Sequence, residues 1–329
     1  MPQLTTNVSA RSPKSNTIQL FRGIAIICVI LIHTCPNGLS TVIARPIVNI
    51  GVPIFLFLSG YLTKIENEDW TAFFKKRIVR VLIPYLIWSV VYTILSGNIK
   101  RLPINLLTTG VSHLYYIFVY IQFVLLTPVL GKLAKSKYRH LVWLISPVYL
   151  ILYKYIPMFT GTEIGDHAFV ICWNLCLGWV TFYYLGLLLG NRLLVKKYSL
   201  ALLVVLYVAS VVLQMGETYG WQIHDISNSG SALKLTNIVT GVLFLLIIYM
   251  ILERGGFKKC NRILVLIGDY SFGLYLSHVM FQLLLIPTSF YNALPYVVNS
   301  ALVLAISLAF CYAGDKLLGT RVSRWFGFR

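Results

Sequence analysis

The sequence predicts an all-α, polytopic integral membrane protein with about ten transmembrane helices and both termini in the cytoplasm. Three observations predict it. The 329 residues are 58% hydrophobic and only 12% charged, with a positive mean hydropathy, a balance foreign to soluble chains of this length. Apolar runs of roughly 16 to 20 residues recur throughout, long enough to cross hydrocarbon as helices. These runs lack the apolar–polar alternation of barrel strands, which argues against a β-barrel. Finally, the basic residues crowd alternate loops.

Ten spans follow, at about 18–35, 46–63, 81–97, 113–131, 141–157, 170–190, 200–215, 233–252, 270–287 and 295–315. With the N-terminus inside, 22 of the 28 lysines and arginines fall in cytoplasmic stretches. Only Arg45, Lys100, Arg101, Lys154 and Lys234 remain for the outer side, with Arg22 within span one. This asymmetry sets orientation. The net charge of +18 is therefore mainly a topology signal, with anionic cytoplasmic ligands as its secondary reading, and nucleic acid is not implied.

Taken in order, residues 1–17 are polar and rich in Ser, Asn and Thr, which predicts a disordered cytoplasmic N-terminus ahead of a membrane domain at 18–315. No small-x-small cleavage site follows the apolar stretch of span one, so it is expected to stay as an anchor. That span holds the most informative pair in the chain. Arg22 and His33 are eleven residues apart, close to three helical turns, so they share one face about 16 Å apart along the axis. A guanidinium and an imidazole in one column through hydrocarbon are expensive to keep and mark a candidate site. The alternative is a snorkelling edge arginine with a histidine at the far interface.

Span two closes with Phe57-Leu58-Ser59-Gly60-Tyr61. Its small Ser-Gly pair lets a neighbouring backbone come close; the other reading is a narrow passage for a long thin substrate. The inner loop 64–80 reads as an amphipathic interfacial segment, with Trp70, Phe73 and Phe74 at the lipid boundary. Lys75, Lys76, Arg77 and Arg80 follow. Arg77 and Arg80 share a helical face, and Pro84 breaks or kinks the helix one turn later. Such a cluster either binds a phosphorylated cytoplasmic ligand or touches anionic lipid.

His113 begins span four beside Leu114-Tyr115-Tyr116, and His278 sits well inside span nine. A histidine in hydrocarbon is either hydrogen-bonded structure or chemistry. The six cysteines lie mainly in or beside spans; Cys172 and Cys176 share a face, but no further ligand at metal spacing accompanies them, so no metal site is assigned. All ten carboxylates lie in loops or at span edges, whereas ion-coupled carriers usually hold one at the midplane. The outer acids of interest are Glu163, Asp166, Glu217 and Asp225. Residues 316–329 form a basic cytoplasmic C-terminal tail, and no internal repeat is evident.

Five elements together resemble the membrane-bound acyltransferase 3 family. They are the Arg22-x10-His33 pair, Pro53 through Tyr61, Lys76-Arg77-x-x-Arg80, His113-Leu114-Tyr115-Tyr116, and Tyr270-Ser271 through His278. Their order and placement run from about residue 18 to 315. Tyr61 and Tyr115 stand where members of that family often have Phe and Trp. The resemblance implies a ten-helix enzyme of the cell (plasma or inner) membrane. Such an enzyme moves an acyl group, most often acetyl, from cytoplasmic acyl-CoA to a hydroxyl of an extracytoplasmic sugar or polysaccharide precursor. It implies catalytic roles for Arg22 and His33, donor binding by Lys76, Arg77, Arg80 and Ser59, and supporting places for His113, Tyr115 and His278. Acetyl-CoA is a co-substrate in this scheme, and no bound cofactor is implied.

The expected chemistry is direct. An imidazole with a pKa near 6.5 can take the acceptor hydroxyl's proton as the thioester is attacked. No serine or cysteine shows an activated context, so an acyl-enzyme is not required, although an acyl-histidine is an alternative. Any carboxylate that orients His33 should come from Glu163, Asp166, Glu217 or Asp225. The competing class is a transporter or flippase of a lipid-linked sugar, which shares the hydropathy but not the Arg22–His33 column.

Overall fold

The computed structural model of the protein describes residues 11–66, 69–108, 112–161, 174–194 and 199–328, and every regular element among them is helical. Ser12 opens α1 (Pro13–Thr34). Its hydroxyl accepts from the Ser15 amide, and Pro13 fills the first turn, where a missing N–H matters least. The polar N-terminus is thus ordered further back than its composition predicts. Arg11 pairs with Asp269 at 2.6 Å, and Thr17 is buried with its hydroxyl accepting from the Phe257 amide; residues 1–10 lie outside the described residues.

Span two is two helices, α2 (Leu39–Val48) and α3 (Gly51–Tyr61). The expected interfacial segment and span three are instead one helix, α4 (Trp70–Leu95), capped by the Asp69 carboxylate on the Ala72 amide at 2.9 Å. It runs on through Pro84, so of the expected break or kink there is no break. The carbonyl that Pro84 leaves without a helical donor belongs to Arg80, an exposed residue within α4. There follow α5 (Leu102–Thr108), α6 (Tyr115–Lys135), α7 (Val142–Leu150), a wide π-type turn at Ile151–Tyr155, and α8 (Ile156–Thr160). Beyond them a 3-10 turn, Cys176–Trp179, leads into α9 (Val180–Gly190), followed by α10 (Leu200–Ile223) and α11 (Leu235–Glu253). The chain ends with α12 (Arg262–Asp269), α13 (Ser271–Leu285), α14 (Ser289–Ala293), α15 (Tyr296–Leu317) and α16 (Gly319–Trp325). Eight described segments are long and apolar enough to cross a bilayer; the α12–α13 pair, bent by 80°, makes nine, and the shorter Cys176–Gly190 occupies the sixth predicted position. Cys172, at the start of that predicted span, lies outside the described residues.

Depth in the bundle differs between helices. The α2–α3 span is 67% buried and the α10 span only 22%, so the former is central and the latter faces lipid. Two apolar clusters meet at α1, which gives Ala25 and Cys28 to one and Ile26, Val29 and Ile30 to the other. Glycines set the closest crossings. A Cβ on Gly60 would stand 2.2 Å from the Tyr183 carbonyl oxygen, and one on Gly186 2.1 Å from that of Phe57. Gly60 is therefore in the sequence because α3 and α9 touch backbone to backbone, the packing reading of the Ser-Gly pair. Gly268 and Gly23 do the same where α12 crosses α1.

The C-terminal tail is docked. Trp88 donates its indole N–H to the Phe326 carbonyl at 3.0 Å, and Phe328, 2% exposed, fills space beside Gly273 and Gly314. The Asp315 carboxylate accepts from the Tyr270 and Ser323 hydroxyls, tying α15 and α16 to the α12–α13 bend.

Candidate active site

Because α1 is unbroken, Arg22, Ile26, Val29 and His33 form one stripe at helical spacing. Ile26 is fully buried and Val29 nearly so, which turns the stripe toward the protein interior and away from lipid. The two ends of the stripe meet different company.

At the His33 end, three histidines converge. The His33 ring lies 5.1 Å from that of His278 and 6.2 Å from that of His113, centroid to centroid, and His113 and His278 are 5.4 Å apart. Each arrives on a different element: His33 in the last turn of α1, His113 in the turn before α6, and His278 midway along α13. The 80° bend between α12 and α13 brings the last of these into the bundle. His113 and His278 are buried. The Nδ1 of His278 meets the Leu274 and Tyr275 carbonyls at 3.0 and 2.9 Å. Carbonyls only accept, so Nδ1 carries the proton and Nε2 keeps its lone pair. That Nε2, and both ring nitrogens of His113, have no hydrogen-bond partner of good geometry among the described residues. Buried polar atoms are normally satisfied, so this cluster calls for a partner such as water or a ligand. The scaffold around it is tightly bonded. Tyr275 donates its hydroxyl to the His113 carbonyl, Tyr92 donates to the Leu276 carbonyl at 2.7 Å, and the Gln282 amide donates to the His33 carbonyl at 2.6 Å.

At the Arg22 end, the neighbours within electrostatic reach are Arg80, Tyr116, Tyr120 and Asp269. Asp269 is held by Arg11. Arg77 packs its guanidinium on the Phe73 ring at 4.8 Å and lies within reach of Tyr183. Among the described residues, Arg22, Arg77 and Arg80 have no carboxylate within 4.0 Å. Lys76 is exposed at the rim. Ser59 is placed on α3 with its Oγ buried and without a partner among the described residues. Between the two ends runs a ladder of rings: Tyr120 to Tyr116 at 6.4 Å, Tyr116 to Tyr275 at 5.6 Å, and Tyr275 to His113 at 5.9 Å.

One expectation is extended and one is corrected. Tyr115 stacks on Trp179 at 6.3 Å, and its neighbour Tyr116 is the one whose ring joins the ladder, because one residue on a helix turns a side chain by about 100°. Glu217 does not orient His33. It accepts from the Tyr155 and Thr236 hydroxyls, near Lys154 and Lys234, whose ammonium groups both lie 4.5 Å from the Trp221 ring centroid. Asp225 is exposed, and Glu163 and Asp166 lie outside the described residues. What faces the His33 ring among the described residues is imidazole. Tyr92, Tyr116, Tyr275 and Gln282 were not legible as site residues, since Tyr and Gln in apolar helices are common; only the proximity of Tyr116 and Tyr275 to the two later histidines in sequence hinted at them.

A family model described as an acyltransferase domain, the third of that name, matches residues 16–315. The chain is also 24% identical over 265 residues to YfiQ of Bacillus subtilis (strain 168), classed by name only as a membrane-bound acyltransferase, covering 73% of this chain and 70% of that protein. No solved structure matches the chain.

Proposed function

The chain belongs to the acyltransferase 3 family and is a multi-pass membrane acyltransferase, and on that premise we propose that it transfers an acetyl group from cytoplasmic acetyl-CoA to a sugar hydroxyl on the far side of the cell membrane. The observation that carries this reading is the inward stripe of α1, with arginines that make no ion pair among the described residues at one end and three histidines at the other. The arginine end, assigned to the cytoplasm, suits the phosphates of CoA: Arg22, Arg77 and Arg80 offer charge-assisted donors, with Lys76 at the rim. About 16 Å of helix separates the two ends, a distance that the extended pantetheine arm can bridge along the Tyr120–Tyr116–Tyr275 ladder.

At the far end, His33 takes the proton of the acceptor hydroxyl. The hydroxyl oxygen bonds to the thioester carbonyl carbon, the C–S bond breaks, and the proton passes from His33 to the departing thiolate. General-base catalysis of this kind supplies roughly 10²–10⁴-fold, and positioning supplies much of the rest. His278 takes the place of a carboxylate. Its Nδ1–H is committed to backbone carbonyls, so its Nε2 is available to accept the His33 N–H and turn the other His33 nitrogen toward the acceptor. The carrier alternative gives way to the family assignment.

The test is to incubate membranes holding the protein with radiolabelled acetyl-CoA. Label should enter an envelope polysaccharide or its precursor and be released by mild alkali, as an ester requires. Label that never leaves the CoA pool, or that enters the polymer equally with His33→Ala, overturns the proposal.

A further inference from the structure

A cavity of about 520 Å³ lies between the segment that follows α1 and the connection from α10 to α11, within the roughly 300–1,000 Å³ of ligand sites. Its walls are polar: Asn37, Thr41, Arg45, Gln222, Asp225 and Asn228 all line it. The walls are tied together, because Gln222 donates to the Gly38 carbonyl at 3.1 Å and buried Asn49 donates to the Gly230 carbonyl at 3.3 Å. Gly230 lies so close to the opposite wall that a Cβ there would be 2.9 Å from Thr41 Cγ2. Asp225 and Asn228 have φ of 52° and 58°, left-handed conformations that Asp and Asn tolerate best.

Arg45 is the informative wall residue. It is half-buried, its Nε is fully buried without a partner, and no carboxylate lies within 4.0 Å of it among the described residues. Asp225, the acid in the same wall, is exposed and does not pair with it. A guanidinium taken partly out of water without a counter-charge is unfavourable unless an anion arrives. Arg45 is also within electrostatic reach of His33, and Asn37 follows His33 by one helical turn's worth of chain.

We propose that this cavity is the acceptor site and that it selects an acidic sugar, whose carboxylate or phosphate meets Arg45 while its hydroxyls meet the amide and hydroxyl walls and present one to His33. The proposal rests on the acyl-transfer reading above for its link to His33, but binding is measurable apart from transfer. The experiment titrates purified full-length protein in detergent with methyl glucuronide, glucose 1-phosphate and neutral methyl glucoside by ligand-observed NMR, in the native sequence and in Arg45→Gln, Arg45→Lys and His33→Ala. At least one acidic probe should bind about tenfold or more tightly than the neutral one, the size of a charge-assisted hydrogen bond. Arg45→Gln should bring the probes to equal affinity, Arg45→Lys should keep part of the preference, and His33→Ala should keep all of it. Which acid binds more tightly tells a sugar acid from a sugar phosphate. Equal affinities in the native protein, or a preference untouched in Arg45→Gln, overturn the proposal. Should Arg45→Gln not fold, loss of part of the preference in Arg45→Lys supports the proposal and full retention overturns it. Acid-selective binding without any acetyl transfer in the native protein would sink the enzymatic reading and leave the anion site standing.

Discussion

At the scale of single residues, the proposed chemistry turns on which nitrogen holds which proton. His278 donates from Nδ1 to two backbone carbonyls and so presents a bare Nε2 in the space it shares with His33 and His113. His33→Ala should lower acetyl transfer by about 10²–10⁴-fold while the protein still inserts and elutes as a single species in detergent; normal turnover would end the assignment. His278→Phe keeps a buried ring but no lone pair. It should lower kcat roughly ten- to a hundredfold, displace the acidic limb of the pH–rate profile, and leave the acetyl-CoA KM alone. A purely structural role would instead reduce the amount of folded enzyme without moving that limb. At the other end of the stripe, Arg77→Ala with Arg80→Ala should raise the acetyl-CoA KM about tenfold or more and leave the acceptor KM unchanged. An unchanged donor KM would make the cluster a lipid anchor.

At the scale of elements, small residues decide which helices touch. The crossing of α3 and α9 admits no side chain at Gly60 or Gly186, each of which faces a carbonyl oxygen little more than 2 Å from where a Cβ would sit. Gly186→Ala must push the helices apart and should cost roughly 1–3 kcal/mol, read as a lower unfolding temperature in detergent. Gly216, in the second half of α10, has nothing within 4 Å of its would-be Cβ. Gly216→Ala should be neutral or stabilise by about 0.5–1 kcal/mol through helix propensity alone. The contrast separates packing from propensity, and equal effects would refute the crossing. Continuity matters as much as contact: α4 carries the interfacial aromatics, Arg77 and Arg80, and the membrane span on one rod, so the cation cluster is positioned by the same helix that buries Trp88 and Tyr92.

At the scale of the whole molecule, the tail and the topology are linked. Phe328 packs beside α13 and α15 glycines and Trp88 holds the Phe326 carbonyl, so the last residues brace the helices around the histidine-bearing α13. Phe328→Ala should destabilise the protein by roughly 3 kcal/mol, checked by thermal unfolding. The proposed orientation places the α11–α12 connection in the cytoplasm and the α10–α11 connection outside. In a background lacking the native cysteines, Lys258→Cys should resist a membrane-impermeant maleimide in intact cells and Asn228→Cys should react. The reverse pattern would invert the whole mechanism, because the arginine end would then face away from the acyl-CoA pool.

The sequence on its own carries the membrane class and the shared face of Arg22 and His33, and its ten predicted spans overlap eight described membrane-length helical segments, the bent α12–α13 pair and the shorter Cys176–Gly190. Each of these is a property of one segment: hydropathy, helical period and the charge of the flanking loops act locally, and the family resemblance followed from their order. The boundary errors were also local: Ser12 and Asp69 cap α1 and α4 ahead of their apolar runs, α2 and α12 likewise begin before the predicted spans, and α10 runs beyond its own. Tertiary structure alone decided that His33, His113 and His278 share one space, that Glu217 belongs to a separate lysine and tyrosine cluster, and that the Tyr116 ring meets Tyr275. Those facts depend on how helices far apart in the chain cross and bend. Backbone contacts at Gly23, Gly60, Gly186 and Gly268 and the turn at Tyr270 fix that geometry, and no single segment's pattern contains it.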